Sequence, residues 1–270
     1  MIPKKNRRLA RHILWVAVCL AVSVVSQNAL AESVKQDVFA RRTEIAYHQA
    51  KTKYLSTTNG SPAAWIFARA CYNFADLATT DDQRAGLAQE GIDACQKLLL
   101  AQPKSGAAYY YLGMNQGQLA RTKLLGALKL VREMERNFKT AWSLDKQVDH
   151  GGPARSLGLL YRDAPGWPTS IGSKRKAHDW LERVVQFDPV FPENFMVLGE
   201  SELQWDDVNA AADALKKLDA NWAQAQSQLT GVAWEADWAD WNTRRDALRT
   251  QIKEKLATAS APVNSSRRAN

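Results

Sequence analysis

Ala101-Gln102-Pro103 leads to Leu112-Gly113, Leu144-Asp145-Lys146 leads to Leu157-Gly158, and Phe187-Asp188-Pro189 leads to Leu198-Gly199. Each stretch reads as an apolar helix end, a polar turn and a new helix that opens towards a Leu-Gly pair. The turns stand 43 residues apart both times, from 103 to 146 and from 146 to 189. A constant period longer than a helix and shorter than a domain marks a supersecondary unit, a helix pair that buries its apolar face only by stacking on its neighbours. The expectation is an all-α array of about four helix pairs with a capping helix at each end.

Working outward, apolar period predicts pairs over about 62–77 with 83–100, 106–121 with 127–144, 153–161 with 174–187, and 192–204 with 206–218. An Asp of Thr79-Thr80-Asp81-Asp82 suits the cap of the second helix. Ala68, Gly91 and Ala94 are small enough for close helix approach. A charged helix over 33–55, with Val34, Val38, Ile45 and Tyr54 as its apolar positions, covers one end, and Thr57-Thr58-Asn59-Gly60-Ser61-Pro62 stops it. At the other end Trp234, Trp238, Trp241, Leu248 and Ile252 form one stripe along a helix over 232–257, interrupted by Arg245. That stripe reads as the cover an open array end needs or as a subunit interface rich in aromatic residues. The polar tail 258–270 is expected to be disordered.

Before the array, Lys4, Lys5, Arg7, Arg8 and Arg11 precede an apolar run from Ile13 to Val25 that ends in Ala29-Leu30-Ala31. This is the pattern of a cleavable secretory signal over 1–31, and the run is shorter than the roughly 20 residues of a membrane-spanning helix. Removing its five basic residues leaves 31 of the 36 lysines and arginines against 28 acids, a net charge of +3 in place of +8. The high pI then describes the signal, and nucleic acid is not an expected partner. In an oxidising periplasm Cys71 and Cys95, on consecutive helices, are either a disulfide or two small buried residues at helix crossings.

The chain carries few marks of catalysis. His48, His150 and His178 are scattered, and neither metal-ligand spacing nor a nucleophile or phosphate-loop motif occurs. No enzyme activity, cofactor or metal is expected.

Ala108, Leu112 and Gly113 on a first helix, with Ala141 and Trp142 on a second, resemble the tetratricopeptide repeat in loose form. More specific are Tyr109-Tyr110-Tyr111-Leu112-Gly113-Met114-Asn115-Gln116-Gly117-Gln118-Leu119-Ala120, Gly151-Gly152-Pro153-Ala154-Arg155-Ser156-Leu157-Gly158, Leu160-Tyr161-Arg162-Asp163-Ala164-Pro165-Gly166-Trp167-Pro168-Thr169-Ser170-Ile171-Gly172, Lys176-Ala177 and Pro192-Glu193-Asn194. Together, over about 63–205, they resemble the T component of TRAP transporters, the TatT family. The resemblance implies a periplasmic tetratricopeptide-like protein, trimeric in its characterised form, that associates with a TRAP solute-binding protein and holds or passes a hydrophobic small molecule. The chain departs from lipid-anchored members in lacking a suitable attachment cysteine, because Cys19 sits in the middle of the apolar run.

Pro165 and Pro168 stiffen the loop around Gly166-Trp167. Trp167 then either plugs a groove between helices or, with Tyr110, Tyr161 and Asn115, lines a cleft of aromatic faces with one polar anchor. Lys174, Arg175 and Lys176 suit an acidic partner or a solvated helix start. The function expected is a non-enzymatic accessory part of TRAP-type uptake, and the alternative is a general periplasmic scaffold for peptides or envelope-assembly proteins.

Overall fold

The computed structural model describes residues 37–57, 61–123 and 125–260. The expected signal over 1–31, Val34 and the tail from 261 onward lie outside them. The described elements are α1 (37–55), α2 (Ala63–Asp76), α3 (Asp81–Ala101), α4 (Gly106–Arg121), α5 (Ala127–Leu144), α6 (Gly152–Asp163), α7 (Lys174–Phe187), α8 (Pro192–Gln204), α9 (Val208–Gln228), a 3-10 turn (Val232–Trp234) and α10 (Glu235–Ser260). No strand is present among the described residues beyond one bridge between Gly166 and Gly172. None of their helices is long and apolar enough to cross a membrane.

The chain is an all-α, tetratricopeptide-like array, in which α2–α3, α4–α5, α6–α7 and α8–α9 pair and each pair packs on the next. The recurrent Leu-Gly phrase is its packing device. The leucines Leu112, Leu157 and Leu198 are buried, and the glycine beside each lets a neighbouring helix close in. A Cβ on Gly113 would stand 2.5 Å from Phe138, one on Gly158 2.5 Å from Leu181, and one on Gly199 3.0 Å from Leu248. Helix starts are fixed by side-chain caps, Thr80 accepting from the amide of Gln83, Ser105 from Ala108, Ser173 from Lys176 and Asp207 from Ala210. Thr80 therefore takes the capping role expected of an Asp, and Asp81 and Asp82 fall in the first turn of α3, where negative charge suits the helix dipole.

The two ends differ from expectation in detail. On α1 the inward face carries Tyr47, Ala50 and Tyr54 against Phe67 and Phe74, with Tyr54 stacked on Phe67 at 5.2 Å. Val38 and Ile45 face outward instead, 42% and 56% exposed, because the two tyrosines bring more area to the aromatic cluster. Helix α9 runs ten residues beyond Leu218, since Trp222 and Ala225 continue its buried stripe and Gly231, at φ +91°, follows soon after. On α10, Trp241, Leu248 and Ile252 are buried against α8 and α9, with Trp234 and Trp238 packed alongside, so the stripe covers the end of the array. Arg245 belongs to the same packing, its guanidinium 4.1 Å from the Trp222 ring and its Nε donating to Asp219 at 2.6 Å. The helix continues through Ser260, past the expected start of the tail.

Cys71 and Cys95 are free and wholly buried, in neighbouring apolar clusters. Burial pushes both thiols far up, and the pair packs here as small core residues.

Candidate binding groove

The helices that begin each pair, α2, α4, α6 and α8, run the same way, and their two ends make two edges of the array. One edge holds the turns between pairs. There Tyr110 donates its hydroxyl to Asp149 at 2.7 Å, His150 Nδ1 meets Asp188 at 2.9 Å, and the His150 ring stacks on Phe191 at 4.2 Å. The opposite edge holds the turns within pairs, joined by Arg121 to Asp76 at 2.8 Å and by Lys174 over the Trp205 ring at 5.3 Å.

At the first edge the chain bends through three successive residues of positive φ, Asp149 at 51°, His150 at 53° and Gly151 at 79°. Such values cost about 1–3 kcal/mol each for residues other than glycine and persist only where surroundings over-determine them. The surroundings here are built on Arg155, one turn into α6 and buried. It donates to Asp149 Oδ2 at 2.7 Å, to the Asp149 carbonyl at 3.1 Å and to Asn194 Oδ1 at 2.7 Å, and lies 5.2 Å over the Phe191 ring. Asn194, fully buried, returns hydrogen bonds to the carbonyls of His150 and Asp188. Burial pulls the Arg155 guanidinium down, and Asp149, with Tyr110, Glu193 and Tyr72 behind it, more than restores it.

This network forms the floor of an inner face. Arg42 on α1 reaches Glu235 at the start of α10 at 3.3 Å, across 193 residues of sequence. An ion pair this exposed adds little stability, but its geometry is decisive: the array curls until its first and last helices touch. Asp237 near the start of α10 is solvent-exposed. Desolvation raises its carboxyl, Glu193, Asp149 and Asp240 raise it further, and Arg69 of α2 pulls it down. Tyr72 of α2 has its phenol pushed up to about 12, by desolvation first and then by Asp76 and Asp149, with Arg155 and Arg121 opposing. Charges on α2, α6, α8 and α10 therefore lie within electrostatic reach of one another. Arg69 is exposed and makes no ion pair among the described residues.

The sequence-derived site residues are not brought together. Tyr110 is 1% exposed and belongs to the Asp149 network. Asn115 is wholly buried where α2, α3 and α4 meet, its amide donating to the carbonyl of Ala68 at 2.9 Å, and Gly91 makes room for it. Tyr161 is buried under Lys139 and Lys176 and donates to Glu135. Trp167 neither plugs a groove nor lines a cleft: it is 89% exposed on the opposite edge. Tyr110 starts one helix and Trp167 follows the end of the next, so the length of α6, roughly 18 Å at 1.5 Å per residue, lies between them. Lys174, Arg175 and Lys176 share the Trp167 edge and do not face the groove; Arg175 sits 4.0 Å from Asp179. Arg69, Tyr72, Asp149, Glu193 and Asp237 were missed. The one local signal was Arg155, a charge set in the otherwise small and apolar opening of α6.

No family model and no curated protein matches this chain. Among solved structures, one titled "Crystal structure of MamA" aligns over 67% of this chain and 90% of its own, at 17% identity and a TM-score of 0.45. At that level the likeness adds nothing to the fold already described.

Proposed function

We propose that this chain is a periplasmic, non-enzymatic accessory component of a TRAP-type transport system, and that its inner groove holds a segment of the solute-binding protein. The observation that supports this most is the Arg42–Glu235 contact. With the array curled to that contact, Arg69 and Tyr72 of α2 stand across one space from Trp234 of the 3-10 turn and Asp237 of α10, as a module that grips a chain segment requires. The mix of an exposed guanidinium, a carboxylate and aromatic edges suits a polypeptide with polar groups better than a purely apolar small molecule, since each polar group needs a partner on desolvation. The TRAP assignment itself rests on the resemblance of the Gly151–Gly172 block, and the Gly151-Gly152-Pro153 part of that block builds the groove floor.

The test is crosslinking and recovery of tagged protein from the native periplasm, with mass spectrometry of what accompanies it. A TRAP solute-binding protein is expected, lost with Arg69→Glu or Tyr72→Ala. Recovery of envelope-assembly proteins in its place would overturn the transport reading in favour of a general scaffold.

A further inference from the structure

The edge opposite the groove floor carries two large apolar side chains held almost entirely in water. Leu125, between α4 and α5, is 90% exposed, and Trp167, between α6 and α7, is 89% exposed. They stand on turns of consecutive pairs and so project from the same edge. The Trp167 loop is pinned: Gly172 donates its amide to Pro165 at 2.9 Å, Ser170 to Gly166 at 3.1 Å, and Ser173 to Tyr161 at 2.8 Å. A Cβ on Gly172 would lie 2.0 Å from the Ala164 carbonyl, which shows how tightly the loop is closed. An ordered loop that keeps a tryptophan out of the core is a docking feature, because the protein gains nothing from it in isolation.

The surrounding charge is one-sided. Lys123 and Lys129 flank Leu125, Arg132 follows one turn further along α5, and Lys174 and Lys176 follow the Trp167 loop. All are exposed, and none makes an ion pair among the described residues. Around the Trp167 loop the acids are engaged, Asp163 with Arg162 at 2.7 Å, Asp206 with Lys255, and Asp207 as the cap of α9, while Asp82 at the start of α3 is exposed without an ion pair among the described residues.

We infer that this edge seats the protein on an anionic lipid bilayer, with Leu125 and Trp167 entering the interface and the exposed lysines and arginine resting on acidic headgroups. Tryptophan is at home at the membrane–water boundary, and basic side chains beside it add attraction to a negative surface. The curled groove floor lies at the other edge, so seating leaves it open. This inference does not rest on the transport reading: an adaptor of any kind could be held this way.

The experiment uses the chain from Glu32 onward, which contains every described element, with phosphatidylglycerol–phosphatidylcholine vesicles and with phosphatidylcholine alone. Cosedimentation with the anionic vesicles is expected, weakened by salt. Affinity should fall about tenfold or more in Leu125→Ser/Trp167→Ser, since both apolar anchors are removed. Both positions are exposed, so the variant should melt as wild type does, and brominated lipid should quench a tryptophan signal that Trp167→Leu lacks. Absence of binding to anionic vesicles, equal binding to phosphatidylcholine, or binding unchanged in the double variant would each overturn the inference, as would this edge docking a protein partner in place of lipid.

Discussion

At the scale of single residues the glycines of the repeat separate packing from propensity. Gly158 is surrounded, with Leu181 wholly buried against it and no room to retreat. Gly86 lies on the open face of α3 with nothing within 4 Å of a Cβ. Alanine at either site gains about 1 kcal/mol of helix propensity. At Gly158 overpacking of about 1–3 kcal/mol opposes it, so Gly158→Ala should lower the denaturation midpoint and Gly86→Ala should raise it. A second residue-scale prediction concerns Glu202, 3% exposed on α8 with His178 at 3.3 Å. Desolvation raises its carboxyl above the ordinary 4.5, opposed by His178 and Lys174 and assisted by Asp207 and Glu182. The fold thus holds the proton more tightly than the unfolded chain, and ionisation costs stability as pH rises above 4.5. Glu202→Gln should melt higher than wild type at neutral pH, with the gap closing below pH 4.5. An equal gap at both pH values would refute this. The Leu-Gly phrase was legible because volume is local. Tyr110, Asn115 and Tyr161 misled because residue type alone does not distinguish a cleft lining from a helix crossing.

At the scale of elements, most helix limits could be read from period and turn chemistry. The starts of α4, α5, α7 and α8 fall where Ser105, Gly126, Ser173 and Pro192 put them. The end of α9 could not, because its later turns bury only Trp222 and Ala225 between polar residues. Helix α10 is tied to α8 by Arg244, which donates to Glu193 and Glu200 at 2.8 Å each and to Asp240 at 3.0 Å. Burial pulls that guanidinium down, but the bonds to Glu200 and the charge of Glu193 hold it above its usual range. Beside it Trp241 packs on Phe191 at 5.4 Å and Trp238 at 5.1 Å and donates to Glu193 at 2.9 Å. Trp241→Ala should cost about 3–5 kcal/mol, as for other large core truncations. It should do so without changing oligomeric state if the stripe is a cap, whereas a change of mass at unchanged stability would make it an interface.

At the scale of the whole molecule, the decisive property is the rotation from one helix pair to the next, summed until α1 meets α10. That rotation has no local signature, which is why Arg42 and Glu235, or Arg69 and Asp237, carry no mark of partnership in the sequence. The groove, the floor built on Arg155 and the outward edge of Trp167 all follow from it. The measurement that bears on it most directly is the rate at which a short flexible bis-maleimide, long enough to replace the two side chains that meet there, crosslinks Arg42→Cys/Glu235→Cys, with Arg42→Cys/Glu254→Cys as control, since Glu254 lies five turns further along α10 at 3.6 residues per turn. The native Cys71 and Cys95 are buried with raised thiols and should stay silent. Rapid, near-complete crosslinking of the 42–235 pair, well ahead of the control, is expected of a curled array. Rates no faster than the control would mean an open array, and a groove assembled from α2, α6, α8 and α10 could not stand.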